Sequence, residues 1–231
     1  SLLLLNLPVL KETFDDLEDI LEEYYSDHGD FFLAGLRYSR IRDEIPLMLG
    51  DMLEGTHHIR RIVNDLRDFA RQEPLDLLEN VDFNQIVMMA IRLTDNTIRS
   101  STQNFSVTYS NNLPQIQGNA QRLQQVVINL IVNACQALES IEQSIKINTY
   151  YDGDAQMICL LVKDNGKGIE KDHLSRLSDP FFTTKREQGG TGLGLSISSS
   201  IVEEHGGRLE FASTSGQGTR VALYLPKAIE E

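Results

Sequence analysis

Apolar residues recur along the first seventy positions with helical spacing. Leu3, Leu7, Leu10, Phe14, Leu17, Leu21 and Tyr24 are separated by alternating fours and threes, the seam of a helix built to pack lengthwise on another. Ile45, Met48, Met52, Gly55, Ile59, Ile62, Leu66 and Phe69 repeat the pattern, Gly55 being the one member without a side chain to bury. Between the two stretches, Ser26-Asp27-His28-Gly29-Asp30 signals a turn, and residues 31–43 predict an irregular or short helical connection. The pair predicts an antiparallel helical hairpin. A lone hairpin leaves much of its stripe in water, and burying each Leu or Ile contributes roughly 1.5–3 kcal/mol. The hairpin is therefore expected to dimerise into a four-helix bundle, the alternative being that the stripe packs on a second domain of the same chain.

From residue 81 the period changes. Runs at Phe105–Tyr109, Ser144–Tyr151, Met157–Lys163, Arg208–Ala212 and Thr219–Leu225 alternate or are β-branched and predict strands. Helical patterns lie between them at about 84–98, 119–139 and 194–205. Turns at Tyr151-Asp152-Gly153-Asp154 and Ser215-Gly216-Gln217-Gly218 suggest a mixed or antiparallel sheet with helices on one face. Pro74 disfavours helix at the residue before it, which places a linker at about 72–80. The predicted class is α+β, with a helical domain over 1–72 and an α/β sandwich over 81–231.

Composition narrows the function. The 231 residues carry 21 basic and 34 acidic side chains, a formal charge of −13, and residues 1–80 hold 8 and 18 of them. Such a balance argues against broad nucleic-acid or anionic-lipid binding, both of which need concentrated Lys and Arg. The longest aliphatic run, Leu2–Leu5, is far short of the roughly 20 residues of a membrane span, so no membrane contact is expected of this segment. Cys135 and Cys159 lie in apolar stretches without metal or disulfide spacing and read as small buried hydrophobes in a reducing, cytoplasmic setting.

Four clusters in the second domain have phosphate or nucleotide character. Asn129 and Asn133 lie four apart in Asn129-Leu130-Ile131-Val132-Asn133-Ala134, on one face of a helix whose other face is apolar. Alone such a pair is an ordinary polar rim, but two amide oxygens on one face can also help hold a hydrated Mg²⁺. Asp164-Asn165-Gly166-Lys167-Gly168-Ile169 follows a strand; it fits an ordinary turn, or a carboxylate placed to accept from an adenine amino group. Gly189-Gly190-Thr191-Gly192-Leu193-Gly194-Leu195 opens an apolar helix and would present N–H groups and a positive dipole end to an anion. It is neither a P-loop nor a dinucleotide fingerprint. Ser215-Gly216-Gln217-Gly218-Thr219 precedes the last strand, and Phe181-Phe182-Thr183-Thr184-Lys185 lies between the second and third clusters. Thr219 could join the adenine network through water, and Lys185 could reach phosphate as a mobile charge.

In order and spacing these clusters resemble the ATP-binding catalytic domain of sensor histidine kinases, within the superfamily shared by gyrase, Hsp90 and MutL. Asn129–Ala134 matches the N box, Asp164–Gly168 the G1 box, Phe181-Phe182 the F box, Gly190–Leu195 the G2 box and Gly216–Thr219 the last glycine motif. The resemblance implies a sandwich of the Bergerat type whose lid, at about 170–190, closes over ATP and Mg²⁺. By that analogy Asp164 recognises adenine, Asn133 binds the metal, Asn129 assists beside it, and Lys185 with the amides around Gly192 and Gly194 meets the phosphates. The implied nucleotide site takes in Ala137, Gly166, Gly168, Ile169, Phe182, Thr183, Thr184, Gly190, Thr191, Leu193, Leu195 and Thr219, and its catalytic members are Asn129, Asn133 and Lys185.

Within the superfamily, hydrolytic members are expected to carry a Glu as general base at the position of Asn129. An amide cannot take up a proton near neutral pH, which favours phosphoryl transfer over hydrolysis. In the kinases the acceptor is a histidine of the dimerisation hairpin, followed by an acidic residue and, five positions on, a Pro. His28, His57, His58, His173 and His205 all lack that Pro, and Leu3 stands five before Pro8. The phosphoacceptor histidine is therefore expected upstream of residue 1, and the segment is expected not to phosphorylate itself. The resemblance implies transfer of the ATP γ-phosphate to that histidine, then to an Asp of a response-regulator receiver domain. The alternatives are an ATPase or serine kinase of the same superfamily, or a dimeric scaffold that binds nucleotide without turning it over.

Overall fold

A computed structural model describes residues 2–70, 79–184 and 190–228, without the side chains of 58, 61, 62, 64–66 and 68–70. The linker expected over 72–80 falls outside the described residues except at its last two positions. The chain divides into two compact units, Ser1–Arg67 and Asp68–Glu231. Among the described residues no helix is long and apolar enough to cross a membrane.

The first unit contains two 27-residue helices, α1 (Leu2–His28) and α3 (Glu44–Ala70). Their connection is more ordered than the sequence suggests. It forms a two-stranded antiparallel hairpin, β1 (Phe32–Leu33) with β2 (Leu36–Arg37), and a single helical turn, α2 (Tyr38–Ile41). Ala34 and Gly35, at φ 52° and 80°, make the reversal, the left-handed pair that a tight two-residue hairpin requires. The connection folds back on α1: buried Tyr38 donates its hydroxyl to Glu22 at 3.0 Å, Arg42 pairs with Glu22 at 3.2 Å, and Phe31 stacks on Tyr38. Burial, then the Glu22 carboxylate, pushes the Tyr38 hydroxyl up to about 12.

The predicted stripe on α1 resolves into two. Leu7 is buried and Phe14 and Leu21 are half-buried, together with Leu4, Lys11 and Tyr25, while Leu3, Leu10, Leu17 and Tyr24 are exposed. On α3, Ile45, Leu49, Leu53 and Thr56 are covered, whereas Met48, Met52 and Ile59 lie open. The side chains of Ile62, Leu66 and Phe69 lie outside the described residues. A heptad helix with both its a and d rows apolar can cover one row and leave the other beside it in water.

The second unit is a helix layer on one face of a sheet. The elements are β3 (Glu79–Val81), α4 (Phe83–Leu93), α5 (Asp95–Ser101), β4 (Asn104–Thr108), β5 (Ile116–Gly118), α6 (Ala120–Cys135), β6 (Ser144–Asp152), β7 (Met157–Asp164), α7 (Lys171–Leu174), α8 (Gly194–Glu204), β8 (Arg208–Thr214) and β9 (Gly218–Pro226). Five strands form one sheet in the order β4-β6-β7-β9-β8, parallel between β4 and β6 and antiparallel elsewhere. The inward residues of β6, β7 and β9 include Ile145, Ile147, Ile158, Leu160, Val162, Leu223 and Leu225. They meet the apolar face of α6 (Leu123, Val127, Leu130, Ile131, Ala134) and of α4 and α8 in one core. α4, α6 and α8 are each amphipathic with period 3.6, so each hides one face on the sheet and leaves the other free for polar work. Two short strands, β3 and β5, pair antiparallel beside this sheet.

Candidate functional site

Asn129 and Asn133 lie in the C-terminal half of α6. Asn119 caps the helix, its side chain accepting from Arg122 N–H at 3.1 Å, which fixes the start of the helix and hence its rotation. With the apolar face on the sheet, Asn129 and Asn133 are left on the half-buried flank turned toward α8. Asn133 Nδ2 donates to Asn129 Oδ1 at 3.3 Å, and Asn129 Nδ2 donates to Ser198 Oγ on α8 at 2.8 Å. Asn133 Oδ1 accepts no hydrogen bond among the described residues. The first residue of α8 must be Gly194, since a Cβ there would lie 2.7 Å from Asn129 Oδ1.

Asp164 ends β7 and is 5% exposed. Its Oδ1 accepts from Gly166 N–H at 2.9 Å and from Thr219 N–H at 3.2 Å. One carboxylate oxygen thus ties the turn after β7 to the start of β9. That turn has no room for side chains: a Cβ on Gly166 would sit 2.2 Å from the Ala137 carbonyl oxygen, and on Gly168 2.1 Å from that of Thr214. Ala137 takes part through its carbonyl, which accepts from Lys167 N–H at 2.9 Å. Gly216 N–H donates to Lys167 O at 2.7 Å. Ile169 N–H donates to Ser213 Oγ at 2.8 Å, and that hydroxyl also meets Gly218 O and Thr219 Oγ1.

The glycine-rich turn is joined to the aromatic pair. Gly192, at φ 70°, has its carbonyl accepting from Phe181 N–H at 3.0 Å, and a Cβ on it would lie 2.5 Å from the Phe181 carbonyl carbon. Phe181 has φ 65°, a left-handed conformation uncommon for a bulky residue, and its ring is exposed. Phe182 lies beneath the Arg176 guanidinium at 4.4 Å and beside His173. α8 opens at Leu193 without a side-chain cap; Leu193 is buried and Leu195 packs on the core. The uncapped amides of this first turn form the positive end of an 11-residue helix, a setting suited to an anion. Gly190, Thr191 and Thr183 are half-buried and Thr184 exposed. Lys185 and Gly189 lie outside the described residues.

Hydrogen bonds and steric limits therefore join two groups: Asn129 and Asn133 with Ser198 and Gly194, and Ala137 with Asp164, Gly166, Gly168, Ile169 and Thr219, while Gly192 is bonded to Phe181. Sequence reasoning missed Ser198 and Ser213, which connect these residues to α8 and β8. It also missed His205 (5% exposed), whose Nε2 accepts from the Asn119 N–H at 3.0 Å while its Nδ1–H donates to the Ile201 carbonyl at 2.6 Å. Burial pushes the His205 pKa below its ordinary value, so the imidazole is neutral and its two nitrogens take opposite roles. An Arg122–Glu204 ion pair lies beside it. Among the described residues no group of three or more His, Cys, Asp or Glu could hold a metal, so a cation here would rest on amide oxygen, phosphate and water.

Residues 118–229 match the family model described as histidine kinase-, DNA gyrase B- and HSP90-like ATPase. A putative sensor protein of Shewanella frigidimarina is 38% identical over 216 residues, which cover 94% of this chain and 32% of that protein. The sensor histidine kinase ZraS of Escherichia coli is 35% identical over 175 residues, covering 76% and 36%. The chain spans about a third of the length of these relatives. Among solved structures, the nucleotide-free catalytic domain of histidine kinase ThkA is 28% identical, superposes with a TM-score of 0.57, and covers 65% of this chain and 96% of that one.

Proposed function

Residues 118–229 belong to the histidine kinase-, DNA gyrase B- and HSP90-like ATPase family and form an ATP-binding catalytic domain of the histidine-kinase type; on that premise we propose that the chain binds ATP with Mg²⁺ and passes the γ-phosphate to a histidine. From there it would pass to an aspartate of a response-regulator receiver domain.

The observation that carries transfer over hydrolysis is Asn129. Its amide has both ends engaged, Nδ2 on Ser198 and Oδ1 on Asn133, and it has no basic atom with which to draw a proton from water. In this reading Asp164 meets the adenine amino group, while the carboxylate oxygen bonded to Gly166 and Thr219 holds the two glycine turns in place around the base. Asn133 Oδ1, which no protein donor engages among the described residues, fits an oxygen ligand of Mg²⁺. The cation, when bound, would offset charge on the phosphates. The first-turn amides of α8 would contact the phosphates, and Lys185 would approach from the lid. Positioning and fixed dipoles then account for most of the rate. The open rows on α1 (Leu3, Leu10, Leu17, Tyr24) and α3 (Met48, Met52, Ile59) support dimerisation through the helical unit.

The test supplies the acceptor separately. The chain is incubated with γ-labelled ATP, Mg²⁺ and a helical segment bearing the histidine and downstream proline of a related kinase. Acid-labile label on the histidine supports the reading. Phosphate release without label points to an ATPase, and ATP bound without either outcome points to a scaffold.

A further inference from the structure

Resting on the ATP reading above and extending it, we infer that Ser213 is a positioning residue for base selection: it takes the proton of the Thr219 hydroxyl and leaves that hydroxyl to the base as an acceptor only. The sheet sets the groups concerned abreast. Val162, Val221 and Phe211 are cross-strand neighbours on β7, β9 and β8, and Val162 and Val221 belong to the core beneath the helix layer. Two residues along, on the same face of the pleat, stand Asp164, Thr219 and Ser213, with Ser213 directly opposite Thr219. The core thus ends in a polar row, with Asp164 at one side and Ser213 at the other.

The protons along that row have fixed places. A hydroxyl carries one proton and a carbonyl none. Ser213 Oγ lies 2.8 Å from the Gly218 carbonyl oxygen, and two oxygens hold that distance only with a proton between them, so the Ser213 proton is engaged there. Ile169 N–H donates to the same Ser213 oxygen at 2.8 Å. The remaining contact, Ser213 Oγ to Thr219 Oγ1 at 3.0 Å, therefore takes its proton from Thr219. The Thr219 N–H is engaged as well, on Asp164 Oδ1 at 3.2 Å. Thr219, 8% exposed, has no proton left for a ligand, and its hydroxyl oxygen only accepts.

A carboxylate beside an accepting hydroxyl is a wall without a side-chain donor. Adenine carries an amino group where guanine carries a carbonyl oxygen; the amino group suits both acceptors and the carbonyl oxygen neither. A water between Thr219 and the base keeps the same sense. It gives one proton to Thr219 and turns the other to the ring nitrogen beside the amino group, which is bare in adenine and protonated in guanine. Polarity matched in this way discriminates more sharply than an apolar pocket of the same shape.

The test measures ATP and GTP affinities by calorimetry on the whole chain, with thermal unfolding alongside. The variants are Ser213→Ala, Ser213→Cys, whose thiol fills the place of the hydroxyl but accepts weakly, Thr219→Val, and Thr219→Val with Ser213→Ala. Wild type is expected to prefer ATP. In Ser213→Ala and Ser213→Cys the Thr219 proton is released toward the base, and the preference for ATP over GTP is expected to fall about tenfold. With Thr219→Val already in place, adding Ser213→Ala is expected to leave the preference unchanged. A purely structural role, through the turn at Ile169, would weaken ATP and GTP alike and keep their ratio. A ratio kept in both Ser213 variants, or one that falls equally with Thr219→Val in place, overturns the inference while the ATP reading stands. A wild-type chain that binds neither nucleotide, or both equally, overturns the reading beneath it as well.

Discussion

Asp164 has two jobs in this account, and two substitutions separate them. One carboxylate oxygen accepts from Gly166 N–H at 2.9 Å and Thr219 N–H at 3.2 Å at a buried position. Removing it, as in Asp164→Ala, strands two buried donors, at about 1–3 kcal/mol each. The sum, roughly 2–6 kcal/mol, corresponds to a fall in Tm of roughly 5–20 °C for a unit of this size. Asp164→Asn keeps an acceptor for both N–H groups, so its fall in Tm is expected to be smaller than that of Asp164→Ala. The amide replaces the other carboxylate oxygen by an NH₂, however, which donates where an adenine amino group also donates. ATP affinity of Asp164→Asn is therefore expected to fall by about tenfold or more, and preference for ATP over GTP to vanish. Differential scanning calorimetry and isothermal titration on the two variants measure both quantities. An Asp164→Asn chain that keeps wild-type affinity and adenine preference refutes the assignment of Asp164 to the base, whatever happens to stability.

Three further outcomes are expected. Gly218 has φ 92°, and a Cβ on it would lie 2.2 Å from the Asp164 carbonyl oxygen, so Gly218→Ala should cost about 2 kcal/mol or more, read as a lowered urea midpoint. His205 is held neutral, with a pKa below the ordinary 6.5. Its contribution is therefore complete above that value and declines as pH falls below it, because the unfolded chain then binds a proton that the folded one does not. Urea unfolding between pH 7.5 and 5 should show a shallower loss in His205→Gln than in wild type, and equal slopes would contradict the assignment. Met52→Glu combined with Ile59→Glu places charge on the open row of α3, and light scattering should report a monomer with ATP binding unchanged; a persistent dimer would remove that row from the interface.

The sheet and its helix layer were legible because β4 and β8 alternate in burial, the central β7 and β9 are near-continuous apolar runs, and α6 and α8 begin close to the predicted positions. What escaped was set by tertiary contact. The helix expected over 84–98 divides at Thr94, whose hydroxyl bonds back to the Ala90 carbonyl at 2.8 Å, with no Gly or Pro to announce the break. α6 stops at Cys135 rather than near 139 because the chain turns there to place the Ala137 carbonyl on the turn after β7. The β1–β2 reversal lacks an Asn-Gly signal, since Ala34 takes the first left-handed position, and β3 and β5 are too short to carry a pattern. The glycine clusters and paired asparagines of the site stood out because close backbone approach needs those residue types. Ser198, Ser213 and His205 did not, since an isolated Ser or His gains meaning only from the groups the fold brings to it.

The central claim is tested most directly by titrating this chain with ATP in the calorimeter, in Mg²⁺ and again in EDTA. The account predicts binding that Mg²⁺ strengthens, at one site per chain. No heat of binding at millimolar ATP in either condition would contradict it, and would leave the joined glycine turns as a fold without its nucleotide.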